Sequence, residues 1–232
     1  MKTGKKRVVV LSGAGISQES GLKTFRDMGG IWEEYDVTEV ASPEAWRRHP
    51  EVVLRFYNER RRQLLEARPN DAHRAIARLE EWFDVEVITQ NVDDLHEQAG
   101  STRVLHLHGE LRKARSTADP SLVYPLKGWE LNMGDLCDRG SQLRPHIVWF
   151  GEPVPLMEEA IRRVAEARIM VVIGTSLSVY PAASLVGYAP PECPLFVIDP
   201  GEPATGERQV IRIRKKASEG CRDLLHLLEK YI

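Results

Sequence analysis

An apolar run that ends in a glycine turn, Val8-Val9-Val10-Leu11 followed by Gly13-Ala14-Gly15-Ile16-Ser17, constrains this chain most strongly. Four apolar residues in a row, with no polar alternation, read as a strand buried on both faces. Gly13 and Gly15 are expected to take φ > 0 and let the backbone approach a ligand closely. The N–H groups of a following helix would then make an anion site. Four more apolar runs recur at 85–88, 104–107, 170–173 and 195–198, with helical patterns between several of them. That alternation predicts an α/β fold with a doubly wound parallel sheet. Strand ends in such a sheet converge on one crevice. The segments behind these runs are therefore site candidates: Thr89-Gln90-Asn91-Val92-Asp93, His106-Leu107-His108-Gly109-Glu110, Gly174-Thr175-Ser176 and Asp199-Pro200.

Composition narrows the function classes. A chain of 232 residues with 42% apolar and 28% charged residues is an ordinary soluble globular protein. Its net charge of −2 gives no general attraction to nucleic acid. The runs Arg60-Arg61-Arg62 and Arg212-Ile213-Arg214-Lys215-Lys216 read as solvated faces. Cys137, Cys193 and Cys221 are too few and too scattered for a disulfide framework, which fits a reducing compartment. The apolar stretch after Lys5-Lys6-Arg7 is too short for a signal peptide, and no stretch approaches a membrane span. A cytoplasmic protein with no nucleic-acid or membrane partner is expected.

Two stretches break the strand–helix rhythm. Residues 31–72 read as a helical insertion, with a cap at Ser42-Pro43-Glu44 and a second helix from Pro50 to about Ala67. Residues 109–144 lack periodicity and read as an irregular excursion. A single unit over 1–232 is expected, with its core at 1–30, 73–108 and 145–232. An amphipathic helix over Cys221–Ile232 closes the chain.

The motifs combine. The run GAGIS-x-x-SG-x-x-TFR-x-x-x-G-x-W covers residues 13–32, and TQNVD, HGE, LRPHIVWFGE and GTS follow in order. This pattern resembles the sirtuin family of NAD-dependent protein lysine deacylases over nearly the whole chain. The resemblance implies a Rossmann-like core with a helical module and a small zinc-bearing module. It implies transfer of an acyl group from lysine to ADP-ribose, with release of nicotinamide and O-acyl-ADP-ribose. His108 is the expected base, because an imidazole titrates near the working pH, and His106 is expected to be packed or hydrogen-bonded. Asn91 would orient a ribose hydroxyl or water, and Asp93 would accept from the nicotinamide carboxamide. The expected NAD contacts are Gly13, Ala14, Gly15, Ser17, Thr24, Phe25, Arg26, Trp32, Gln90, Asn91, Asp93, Gly174, Thr175, Ser176, Asp199 and Ala217. Asp199 departs from the family's more usual asparagine, and an acid there would favour NAD over a 2′-phosphorylated cofactor.

On the substrate side, Val148, Trp149, Phe150 and Gly151 match the stretch that pairs with substrate backbone in this family, an edge-strand mode of recognition. Tyr57 and Arg60 stand at i, i+3 on a predicted helix and can face one pocket. Tyr-x-x-Arg in this module resembles the bacterial class III, desuccinylase-like branch. It implies succinyl or malonyl groups, with a guanidinium pairing the carboxylate; Met28, where that branch has a small residue, bears on acetyl as a third substrate. The zinc cysteines are missing. Residues 109–144 hold only Cys137, with Ser116 near a first-ligand position, so no metal is expected. Val123, Tyr124, Leu126, Trp129, Leu131, Met133 and Leu136 are the expected apolar replacement. The rival readings are an NAD glycohydrolase or ADP-ribosyltransferase, a non-catalytic NAD or acyl-lysine sensor, and, less well matched, a dehydrogenase, against which the altered glycine pattern at Gln18 speaks.

Overall fold

The structure, a computed structural model, describes residues 4–22 and 37–232. Strands β1 (Arg7–Ser12), β2 (Asp84–Thr89), β3 (Val104–His106), β7 (Ile169–Ile173), β8 (Leu195–Ile198) and β9 (Val210–Ile213) form one sheet in the order β3-β2-β1-β7-β8-β9. Every pair in it is parallel. Counted among themselves, the strands run 3-2-1-4-5-6, and the order reverses between β1 and β7. A crevice outside the carboxyl ends of the strands belongs at that reversal.

The apolar run of β1 has no polar alternation because both of its faces are covered. Val8, Val9, Val10 and Leu11 are each fully buried. Val8 and Val10 pack with residues of α4 (Asp71–Arg78) and α7 (Ala217–Leu228) on one side. Val9 and Leu11 pack with α6 (Met157–Ala165) and the turn at 182–188 on the other. These layers are the core of the α/β fold that the sequence predicts. Among the described residues, no helix is long and apolar enough to cross a membrane.

Helices α1 (Val37–Val40), α2 (Pro43–Arg48) and α3 (Pro50–Glu66) lie between β1 and α4. Ser42 caps α2 by accepting from the Ala45 N–H at 3.1 Å, with Pro43 as its first residue. Helix α3 stops where Ala67 turns extended, two residues before Pro69. Asn70 and His73 then form a capping box that starts α4.

Several expectations need correction. Behind β1, the described residues form two short 3-10 turns, Ala14–Ile16 and Gln18–Ser20, with no longer helix before residue 22. Gly13 is extended at φ −133°, and neither it nor Gly15 takes a positive φ. Their role is steric: a Cβ on Gly13 would fall 2.6 Å from the Thr175 Cβ, and one on Gly15 would fall 2.8 Å from the Gly174 Cα. Residues 109–144 are irregular only in part. β4 (Gly109–Ser116), β5 (Val123–Pro125) and β6 (Leu143–Ile147) form an antiparallel sheet in the order β5-β4-β6. The charged Glu110, Arg112, Lys113 and Arg115 on β4 hide that strand from an apolar count. Arg61, in a run read as solvated, is 2% exposed and donates to the Trp129 carbonyl at 2.8 Å. Part of the other basic run lies in β9, an edge strand, and α7 begins four residues before the expected Cys221.

Gly174 carries φ +62°, and a Cβ there would lie 2.3 Å from the Ile16 nitrogen. Gly174→Ala should cost more than about 2 kcal/mol, since strain and backbone clash add. Chemical denaturation would read this as a lowered midpoint; an unchanged midpoint would show that the two turns can separate freely.

Candidate active site

The carboxyl ends of β1 and β7 are laced together by backbone. The Gly13 N–H donates to the Ile173 carbonyl at 3.0 Å, and the Gly15 N–H donates to the Gly174 carbonyl at 2.8 Å. From the end of β2, the Gln90 amide reaches across and donates to Thr175 Oγ1 at 3.2 Å. Glycine turn, amide loop and the 174–176 turn therefore share one edge of the sheet, at the strand reversal.

A buried polar cluster sits within this edge. Ser17 Oγ donates to Asp93 Oδ2 at 3.0 Å and accepts from Asn91 Nδ2 at 3.2 Å. Asn91 Nδ2 also donates to the Gly13 carbonyl at 3.2 Å, and the Leu95 N–H donates to Asp93 Oδ1 at 3.2 Å. Ser17, Asn91 and Asp93 are all buried. Burial raises the Asp93 pKa, against the Leu95 and Ser17 hydrogen bonds that favour its carboxylate.

Histidines surround the cluster. His108 Nδ1 faces the Gln90 carbonyl at 3.0 Å, and a carbonyl only accepts, so that nitrogen carries the proton. Its Nε2 makes no hydrogen bond to the described residues. Burial lowers the His108 pKa, partly offset by the Gln90 bond. His106 Nδ1 faces the Asn91 carbonyl at 3.1 Å and its Nε2 faces Glu97 Oε1 at 2.7 Å, so it is hydrogen-bonded as expected. Behind β2, Ser12 Oγ donates to Thr89 Oγ1 at 2.9 Å and accepts from His96 Nε2 at 2.9 Å. His96 stacks edge-on against His73, with ring centroids 5.0 Å apart.

The second group of expected residues adjoins His108. The Val148 N–H donates to the His108 carbonyl at 2.9 Å. Residues 148–150 are not strand, since β6 ends at Ile147; the chain turns there, with Gly151 at φ +88° and Phe150 half exposed. Trp149 is buried, and its indole N–H donates to the Tyr57 hydroxyl at 3.1 Å. Burial pushes the Tyr57 phenol up to about 12. Burial lowers the Arg60 pKa, while Tyr57 and Asp93 act to raise it, so its guanidinium senses both groups of residues. Glu152, missed from sequence, anchors the turn: it pairs with Arg144 at 2.6 Å and Arg115 at 3.1 Å and accepts from the Trp149 N–H at 2.8 Å. Only the Arg and Glu within LRPHIVWFGE hinted at this.

The remaining candidates spread along the same sheet edge. Ser176 Oγ contacts Ser178 Oγ at 2.9 Å, and Asp199, after β8, accepts from the Gly201 N–H at 2.8 Å. Ala217 opens α7, where Glu19 accepts from the Ser218 N–H at 2.9 Å and ties the helix to the glycine turn. Thr24, Phe25, Arg26, Met28 and Trp32 lie outside the described residues.

The small sheet lacks the ligand set of a zinc module: among the described residues, no group of three or more His, Cys, Asp and Glu is placed to hold a metal. Ser116 Oγ accepts from the Ala118 and Asp119 N–H groups and also bonds the Cys137 thiol. One thiol and one hydroxyl do not fit a closed zinc site. The expected apolar cluster is present in part: Leu131, Tyr124 and Leu126 pack with Leu54, Ala114, Cys137 and Leu143, while Val123, Met133 and Leu136 face solvent.

Comparisons with known proteins bear on the family and the fold. The Sir2 family model matches residues 13–181. A Helicobacter pylori (strain J99) NAD-dependent protein deacylase is 55% identical over 223 residues, covering 95% of this chain and 94% of its own length. A crystal structure of a Sir2 homologue with NAD superposes with a TM-score of 0.88 at 39% identity, covering 98% of this chain and 91% of that one. A Sir2 complex with a deacetylated p53 peptide and 3′-O-acetyl ADP-ribose superposes with a TM-score of 0.81 at 34% identity, covering 97% and 94%.

The buried histidines generate a stability prediction. Burial, then Arg74, lowers the His73 pKa to about 4, and burial, then His73 and His106, takes His96 well below its ordinary range. Unfolded histidine titrates near 6.5. The unfolded state therefore binds more protons between about pH 6.5 and 4, and stability falls as pH falls through that window. His73 alone accounts for a loss on the order of 3 kcal/mol by the bottom of it. Urea midpoints should drop over this range in the wild type and less in His73→Gln; parallel losses would refute the assignment.

Proposed function

The chain belongs to the Sir2 family, and from that premise we propose that it removes acyl groups from protein lysines at the expense of NAD, with succinyl and malonyl preferred over acetyl. The observation that carries the reaction is the pinned His108. Its Nδ1 proton is committed to the Gln90 carbonyl, and Gln90 in turn holds Thr175 across the strand reversal. Nε2 is thereby a lone-pair base at the cleft, and burial keeps the ring neutral at working pH.

Bare backbone where three glycines meet, beside an ionisable buried Asp93, fits a dinucleotide. NAD, when bound, supplies an electrophilic sugar carbon and the acceptor for the acyl group. In this reading Gly13, Ala14, Gly15 and Ser17 hold the phosphate side, with Thr24, Arg26 and Trp32 of the neighbouring segment. Phe25 shields the reacting carbon from water. Gly174, Thr175, Ser176, Asp199 and Ala217 hold the adenosine side. Asn91 orients a ribose hydroxyl, Asp93 accepts from the carboxamide, and His108 removes a ribose proton at Nε2. Val148 to Gly151 receive the peptide backbone.

The acyl preference rests on Tyr57 and Arg60. Tyr57 oxygen already accepts the Trp149 N–H, so its own proton is left for another acceptor. A carboxylate at the end of an acyl chain, beside a half-buried guanidinium, would take it. The reading also includes a metal-free fold, because Ser116 and Cys137 bond each other where metal ligands would stand.

Incubation with NAD and matched acetyl-, succinyl- and malonyl-lysine peptides should release nicotinamide and O-acyl-ADP-ribose only when acyl peptide is present. Release without peptide would favour a glycohydrolase. His108→Ala should lower kcat by about 100-fold or more. Arg60→Met should depress desuccinylation far more than deacetylation, and equal losses would remove the carboxylate clamp. Chelation should leave turnover intact; stoichiometric zinc by elemental analysis would contradict the metal-free reading.

A further inference from the structure

The two histidines of His106-Leu107-His108 meet different partners. His108 has one acceptor, the Gln90 carbonyl. His106 has two, the Asn91 carbonyl at 3.1 Å on Nδ1 and Glu97 Oε1 at 2.7 Å on Nε2. A carbonyl and an ionised carboxylate accept and cannot donate. Both bonds exist together only if both ring nitrogens carry protons. The 2.7 Å separation is that of a charge-assisted bond.

We propose that His106 is a positioning residue, held as an imidazolium between Glu97 and the Asn91 carbonyl, that fixes the amide loop carrying Asn91 and Asp93. This rests on the site reading above. The loop is pinned at four successive carbonyls. Leu107 N–H takes Thr89 at 2.9 Å, His108 takes Gln90, His106 takes Asn91, and Leu111 N–H takes Val92 at 2.8 Å. Of the two imidazoles, only His106 needs a charged ring, because it alone holds a carbonyl and a carboxylate together. Asn91 is the residue whose amide ties Ser17 to Gly13, so a loosened carbonyl there disturbs both halves of the crevice.

The charges around the ring agree. Burial pulls the imidazole pKa down, but the Glu97 bond and charge, the Asn91 carbonyl and Glu110 raise it above the usual histidine range. The groups facing it are Glu97 and His96 from α5 (Leu95–Gln98), Asp93 from the loop before it, and Glu110 from β4. His96 is neutral, and Lys113, which faces Glu97, is paired with Glu110 at 2.6 Å. As pH rises through its raised pKa, His106 loses one of its two protons and one of its two bonds. Turnover should then fall on the alkaline side, while His108 sets the acid side.

Glu97→Gln separates charge from packing. A glutamine amide can donate to Nε2, so a neutral ring keeps its Nδ1 bond to Asn91. Nitrogen-resolved NMR of the imidazoles should find the wild-type His106 ring doubly protonated at neutral pH, with Glu97→Gln lowering its titration by about one pH unit or more. A singly protonated ring, or a titration that Glu97→Gln leaves in place, overturns the inference. In pH profiles of kcat/KM for NAD, the wild-type alkaline limb should coincide with that titration and vanish in Glu97→Gln; a limb that stays overturns the positioning role. His106→Phe should lower kcat/KM about tenfold or more, and a value within twofold of wild type would also overturn that role. A wild type with the expected ring behaviour but no turnover of any acyl peptide would sink the reaction, and the positioning role with it, leaving the ion pair standing.

Discussion

The site depends on one steric fact: two backbone turns touch where the sheet order reverses. The Gly15 N–H and the Gly174 carbonyl are 2.8 Å apart, and any Cβ at Gly13, Gly15 or Gly174 would drive them apart. Most open α/β sheets leave a gap at this point. Here the gap is floored by main chain, so a ligand lying across it meets N–H and C=O groups and few side chains. The first and second halves of the sheet are joined at the place where they must grip a single molecule.

Placement of the chemical groups follows from that junction. Ser17 leaves the glycine turn and meets Asn91 and Asp93 from the neighbouring strand end. β3 is only three residues long, and its continuation does more than its ladder: it holds the amide loop by two backbone N–H groups and two imidazoles. The alternation H-x-H puts both rings toward one loop, yet their partners differ: one acceptor for His108, two for His106. In the proposed reading, one carboxylate, Glu97, makes the difference between a base and a cation.

Much of this was legible beforehand, for physical reasons. Strands covered on both faces show as apolar runs, so five of the six parallel strands follow directly from the runs at 8–11, 85–88, 104–107, 170–173 and 195–198. Ser42 and Pro43 announce α2 through their own hydrogen bonding and fixed φ. What was hidden lacked such local cause. β4 carries four charged residues because only one of its faces is covered. β9 is an edge strand whose Arg212 faces out. The glycine turn was legible as a close approach but not as to what approaches, since Gly174 lies more than 150 residues away. Ser12 serves through hydrogen bonds to residues more than 70 positions away, which no short motif encodes, and Glu97 and Glu152 act as anchors whose partners the sequence does not single out.

The small sheet shows how a module holds together with too few ligands for zinc. A structural zinc supplies on the order of 10–16 kcal/mol to a small unit that cannot fold alone. Hydrogen bonds between Ser116 and Cys137 cannot match that, at about 1 kcal/mol each. The difference lies in what the module leans on. From α3, Asn58 exchanges two hydrogen bonds with the Leu131 backbone at 3.0 and 3.2 Å, Arg61 donates to Trp129, and Leu54 enters the apolar cluster. On the other flank Arg144 and Arg115 lock Glu152, and the Arg144 guanidinium lies 3.3 Å from the centre of the Trp149 ring. The module is therefore stabilised by docking on the helical insertion as well as by its own ladders and apolar cluster. That couples it to the proposed acyl site, because α3 also carries Tyr57 and Arg60, and the Glu152 turn also carries Trp149. A change that loosens the small sheet reaches both sides of the proposed cleft, through α3 and through the Leu111 N–H that holds the Val92 carbonyl.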